Sequence, residues 1–187
     1  MNLEFLRTKL RAAGVTFAPG LTTAEVKRVE DHHGFMFPPD LNNFLRFALP
    51  ISDGWPDWRN VTNAEIERMM SWPYDSISFD IEHNAFWLDD WGTKPLSNDE
   101  ACAVAKQKIN EAPKLIPICG HRYIPDAPNL EGNPVFSVYQ TDIIYYGADL
   151  LNYLENEFHY YFQTPEYCLK QPIREIDLWS RLVAENC

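Results

Sequence analysis

Over the first dozen residues Leu3, Leu6 and Leu10 recur at helical spacing and Gly14 offers a stop, so the pattern predicts a helix over 2–13. The following LTTAEV is a start signal. Thr22 is placed to cap a helix, Glu25 to close a capping box and Leu21 to staple onto Val26, with Gly34 as the matching end. In PPDLNNFLRFALP, Pro39 suits a first helical turn, Leu41, Phe44, Leu45 and Ala48 share a face, and Pro50 ends the run. The capping device recurs in VTNAEI, with Thr62 as cap, Glu65 closing the box and Val61 stapling onto Ile66. Ser97 with Glu100 opens a helix through about Asn110. Asp149 begins another over ADLLNYLENEF, and IREIDLWSRLV reads as an amphipathic tail helix over about 174–184.

Elsewhere the period is two. ISFDI at 77–81 alternates apolar and polar, which predicts a half-buried strand, with a short helix as the alternative. The aromatic-rich AFWLDDW at 85–91 is placed to pair beside it. LIPICGHRYIP, NPVFSVYQ and DIIYYG are β-rich, and VFSVYQTDIIYYG reads as a hairpin turning near Gln140–Thr141. Helices come first, then strands, then helices, with no repeat and no long linker. That order predicts a single α+β domain over 1–187, a mixed or largely antiparallel sheet flanked by helices.

One loop stands apart. SDGWPDWRN (52–60) carries two tryptophans, although Gly54 and Pro56 break both helix and strand and large rings favour burial. Trp58, beside the next helix start, is expected in the core. Trp55, between Gly54 and Pro56, is expected to be the exposed ring. Trp and Arg dominate binding hot spots, so Trp55 and Arg59 with an acidic rim of Asp53 and Asp57 form a candidate partner-binding surface. Asp89 and Asp90, set between Trp87 and Trp91, join the candidates.

Charge narrows the partners. The net charge is −11, from 27 acidic against 16 basic residues. This disfavours nucleic acid and favours basic proteins, although solubility alone gives the same bias. Apolar residues at 45% are too many for disorder and too interrupted for a membrane span. Charges within the first ten residues leave no apolar signal region, so a cytoplasmic protein is expected. Cys102, Cys119, Cys168 and Cys187 are scattered and read as free thiols.

Catalytic signatures are weak. There is no GxSxG, Ser137 falls mid-strand, and eight glycines form neither nucleotide-binding motif. Glu30, Asp31, His32 and His33 are adjacent, but neighbours on a helix point different ways, and further ligands would have to come from elsewhere. They read as a polar helix end, and neither metal nor cofactor is expected. Asp53, Asp57, Asp89 and Asp90 beside aromatics suit a sugar-cleaving site only if two carboxyl groups face each other across roughly 5 to 9.5 Å. Aspartate is also an ordinary loop residue.

The ordered set of motifs resembles the SUKH superfamily, the fold shared by yeast cell-wall-synthesis regulators of the Smi/Knr type and many bacterial proteins. The features that carry it are the capped helix with Glu30, the passage from Gly34 to Pro38-Pro39-Asp40, the Asp53-Gly54 loop, WG-x-x-P at 91–95, the LIPI strand, and VFSV…D before a closing helix. They span about residues 19–160. The resemblance implies an α+β domain that in bacteria commonly serves as an immunity protein, binding and blocking a cognate toxin, often a nuclease. It implies no catalytic residues. A non-enzymatic protein-binding role is therefore expected. A regulatory or scaffold module is the alternative, and a small carbohydrate-active enzyme a further one.

Overall fold

The computed structural model describes residues 1–185. They form an α+β fold of eight helices and two antiparallel sheets. In order these are α1 (Leu3–Ala12), β1 (Phe17–Pro19), α2 (Thr23–His33), α3 (Pro39–Phe47), β2 (Ala48–Pro50), α4 (Ala64–His83), a 3-10 turn (Asp89–Trp91), α5 (Asn98–Glu111), β3 (Leu115–Cys119), β4 (Arg122–Pro125), β5 (Val135–Tyr139), β6 (Asp142–Gly147), α6 (Leu150–Glu157), α7 (His159–Phe162) and α8 (Trp179–Glu185). β1 pairs with β2, and β3 to β6 form a meander in chain order.

Local signals set several boundaries as expected. Thr22 Oγ1 accepts from the Glu25 amide at 3.2 Å, and Glu25 Oε2 accepts from the Thr22 amide at 2.7 Å, a complete capping box. Gly34 ends α2 in the left-handed region at φ 66°. The last hairpin turns at Gln140–Thr141, between the paired residues Tyr139 and Asp142. Asp149 Oδ1 caps α6 at Asn152.

The strand expected at 77–81 is instead the second half of α4, a 20-residue helix. Ile66, Met69, Pro73, Ile77 and Ile81 fall three or four residues apart on its buried side, and the alternation in ISFDI is a fragment of that longer period. Pro73 sits inside this helix and has no N–H for the carbonyl of Met69. The Tyr123 hydroxyl donates to that carbonyl instead, at 2.9 Å. Residues 85–91 form no strand; they end in the 3-10 turn.

Other boundaries shift. Asn63, not Thr62, caps α4, its Oδ1 accepting from the Glu65 amide at 2.9 Å. Ser97 occupies the N-cap of α5 without a side-chain cap bond. Ala48–Pro50 leave α3 to pair with β1, so Ala48 lies outside that helix. The tail helix begins at Trp179, several residues later than the pattern predicts.

The four-stranded sheet separates two apolar cores. Ile116, Ile118, Ile124 and Val135 face one, shared with α1, α2, α3 and α6. Leu115, Tyr123, Phe136, Val138 and Ile143 face the other, shared with the C-terminal half of α4, with α5 and with the tail. The tail docks on this domain. Trp179 is 1% exposed, and its Nε1 donates to the Pro113 carbonyl at 2.7 Å. Cys102, Cys119 and Cys168 are free thiols; Cys187 lies outside the described residues. Among the described residues no helix is long and apolar enough to cross a membrane.

Candidate functional site

Both tryptophans of the 52–60 loop are turned inward. Trp58 is 1% exposed and meets Phe35, Phe37 and His33 edge-on, with ring centroids 5.3 to 5.9 Å away. Trp55, expected to be exposed, is 9% exposed and lies 6.3 Å from Phe44. The reason is that the loop is tied at several points. The Thr16 amide donates to Ser52 Oγ at 2.7 Å, and the Gly120 amide donates to the Gly54 carbonyl at 2.8 Å. Gly54, at φ 83°, turns the chain so that the ring between it and Pro56 points to the core.

Arg59 is the main clamp of this loop. Its Nε donates to Glu25 Oε1 at 3.0 Å, and its guanidinium also reaches the carbonyls of Pro19 and Gly20. Glu25 is the carboxylate of the α2 capping box. The Thr22 bonds, opposed by burial and helped by Arg59, hold its carboxyl below the usual range. One guanidinium thus locks the loop to the helix start, and it is spent on the fold rather than offered to a partner.

What the loop does expose is acidic. Asp53 and Asp57 face solvent and rim a hollow of about 300 Å³ that also includes Asn63 and Glu65. Gly54 and Glu65 are shared with a second hollow of about 310 Å³, so the two adjoin as a groove. The second is walled by Arg68, Trp72, His121, Tyr123 and Tyr139. α4 supplies Glu65, Arg68 and Trp72, three to four residues apart on one face. The β3–β4 turn supplies Gly120 and His121, and β5 supplies Tyr139.

Two of the rings in this groove are fixed by hydrogen bonds. Trp72 Nε1 donates to the Val138 carbonyl at 3.0 Å, and Tyr123 is held through Met69. Burial, with the Arg122 charge, pushes the His121 pKa down against the pull of Glu157, so its imidazole is neutral at neutral pH. Glu65 and Arg68 form an exposed ion pair at 3.5 Å. The groove therefore carries three carboxylates against one guanidinium.

The six candidate residues divide. Asp53 and Asp57 are on the groove, Trp55 lies beneath it, and Arg59 is committed to α2. Asp89 and Asp90 are exposed on the 3-10 turn, which packs on the second core through Trp91. Asp90 pairs with Arg181 of α8. The sequence reading missed Arg68, Trp72, His121 and Tyr139. Glu65, Arg68 and Trp72 stand at helical spacing in the sequence, but the ISFDI alternation masks the single long helix that carries them. No family model, curated protein or solved structure matches the chain.

Proposed function

We propose that this protein is a non-enzymatic binding module of the immunity type, which takes a basic segment of a toxin domain into the groove beside the tryptophan loop. The observation that carries the reading is an exposed acidic rim, Asp53 and Asp57, set against a hollow walled by aromatic rings. A lysine or arginine side chain fits such a place. Its charge meets the carboxylates, and its stem or guanidinium lies on Trp72 and Tyr139. A single exposed ion pair contributes only about 0–1 kcal/mol, so the rim acts mainly on encounter rate and orientation. The net charge of −11 adds a long-range field of the same sign. A nuclease domain suits this field, because its phosphate-binding surface is basic and the acidic groove competes with nucleic acid for it. The order of motifs resembling the SUKH superfamily supports the same reading.

The test is affinity capture of the tagged protein from its own cells at low and high salt, with wild type beside an Asp53→Lys/Asp57→Lys variant. A toxin C-terminal domain should be retained by wild type, held more weakly at high salt, and lost by the variant. Retention of a cytoplasmic regulator instead would favour a scaffold role. Retention indifferent to salt and to both reversals would refute the acidic groove.

A further inference from the structure

We propose that His32, His33 and Glu67 form a binding site for a divalent transition-metal ion, which ties the C-terminal end of α2 to the first turn of α4. The adjacent histidines alone argue against a site, because a third ligand must come from another element. Folding supplies it. Glu67 Oε1 lies 3.3 Å from His32 Nε2, and one ligating atom from each of the three residues lies within 4.8 Å of the others. Ligand atoms around a tetrahedral ion with bonds of about 2.0–2.1 Å stand roughly 3.4 Å apart. The widest gap therefore needs to close by only about 1.4 Å. The Glu67 and His32 side chains are 54% and 40% exposed, free to swing by that much.

His33 gives an independent sign. Its Nε2 is shielded from solvent and has no hydrogen-bond partner among the described residues. A buried ring nitrogen left unsatisfied is uncommon, and a ligand that accepts its lone pair accounts for it. The ring is seated rather than loose, stacked on Phe35 at 5.8 Å and perpendicular to His32 at 4.7 Å.

Two surrounding fields act in opposite directions. The negative end of the α2 dipole favours a cation at its last turn. The Lys114 ammonium, which donates to the carbonyls of His33 and Gly34 at 3.0 and 2.8 Å, disfavours one. Two imidazoles and one carboxylate select Zn²⁺, Ni²⁺, Cu²⁺ or Co²⁺ over Mg²⁺ and Ca²⁺, and water completes the coordination. The bound ion would close a loop over residues 34–66, which carries α3, β2 and the 52–63 segment with Trp58 5.9 Å from His33.

The experiment uses the full chain without an affinity tag, at neutral pH. Zn²⁺ is titrated by calorimetry, Co²⁺ by visible absorption, and Cu²⁺ by tryptophan quenching. One saturable equivalent is expected, with a rise in Tm under Zn²⁺ but not under Mg²⁺. His32→Ala and Glu67→Gln change exposed side chains, so the metal-free fold should melt as wild type does. Each should weaken uptake by about tenfold or more, while His83→Ala leaves it unchanged. Absence of saturable uptake would overturn the proposal. So would uptake that survives the His32→Ala/Glu67→Gln pair, or that His83→Ala removes.

Discussion

Asp80 should be a pH-sensitive fastening in the fold. It lies on α4 and is 3% exposed. Its Oδ2 accepts from the Thr141 amide at 2.7 Å and the Thr141 hydroxyl at 2.6 Å, and its Oδ1 accepts from the Asn84 amide group at 2.5 Å. The carboxylate thereby holds the tip of the last hairpin against the helix. Burial works to raise its pKa, but the bonds from Thr141 and Asn84, with the His83 charge, outweigh it and leave the group below its ordinary 3.8. Asp80→Asn keeps the shape and removes the charge. Hydrogen bonds to a charged group are worth about 1.5–3 kcal/mol, against about 0.5–1.5 for neutral pairs. Two bonds to one oxygen therefore lose charge assistance worth about 2 kcal/mol in total. A depressed carboxyl stabilises above its unfolded pKa, and that contribution fades as pH falls through the folded value. The gap between wild type and Asp80→Asn in urea denaturation should thus be about 2 kcal/mol at neutral pH and narrow steadily below about pH 4. Other carboxylates titrate in both chains and cancel in the difference. A gap that is absent at neutral pH, or constant down to about pH 3, would refute the reasoning.

Three further outcomes follow from packing. Tyr123→Phe removes the donor to the Met69 carbonyl and should cost about 1–3 kcal/mol in urea denaturation. In a Pro73→Ala background the helix can supply its own N–H to that carbonyl, so the same change should cost measurably less. Trp179→Ala should destabilise by about 3–5 kcal/mol, because the tail ring is fully buried, and a loss under about 1 kcal/mol would detach the tail from the core. Cys119 is pushed up to about 12, chiefly by burial and then by Glu157, whereas Cys168 is exposed. Iodoacetamide with peptide mapping should therefore mark Cys168 in the native protein and Cys119 only after unfolding.

Where the chain states its structure locally, the sequence could be read directly. The Thr22–Glu25 box, Gly34 as stop, Pro39 in a first turn and the Gln140–Thr141 hairpin all depend on residues within four positions of one another. The failures are long-range. The ISFDI alternation looks like a strand unless α4 is seen to run through Pro73, where Tyr123, fifty residues on, takes up the orphaned carbonyl. Trp55 looked exposed because Gly54 and Pro56 flank it; its burial depends on Thr16 and Gly120 holding the loop from outside. The acidic half of the groove was visible in Asp53 and Asp57. Its aromatic half needed α4, the β3–β4 turn and β5 to converge, and no single stretch records that.

Pro73 also sets how motion is shared. The strands divide their two faces between the cores, but α4 divides its length, with Ile66 in one core and Ile77 and Ile81 in the other. The proline stands near the changeover, where the backbone ladder lacks one rung. In native-state hydrogen exchange, amides around Ile66 should therefore gain and lose protection with the first core, and those around Ile77 and Ile81 with the second. The groove residues Glu65 and Arg68 ride on the first segment. A partner seated there would slow exchange through the early turns of α4 and leave the hairpin fastened by Asp80 at its own pace.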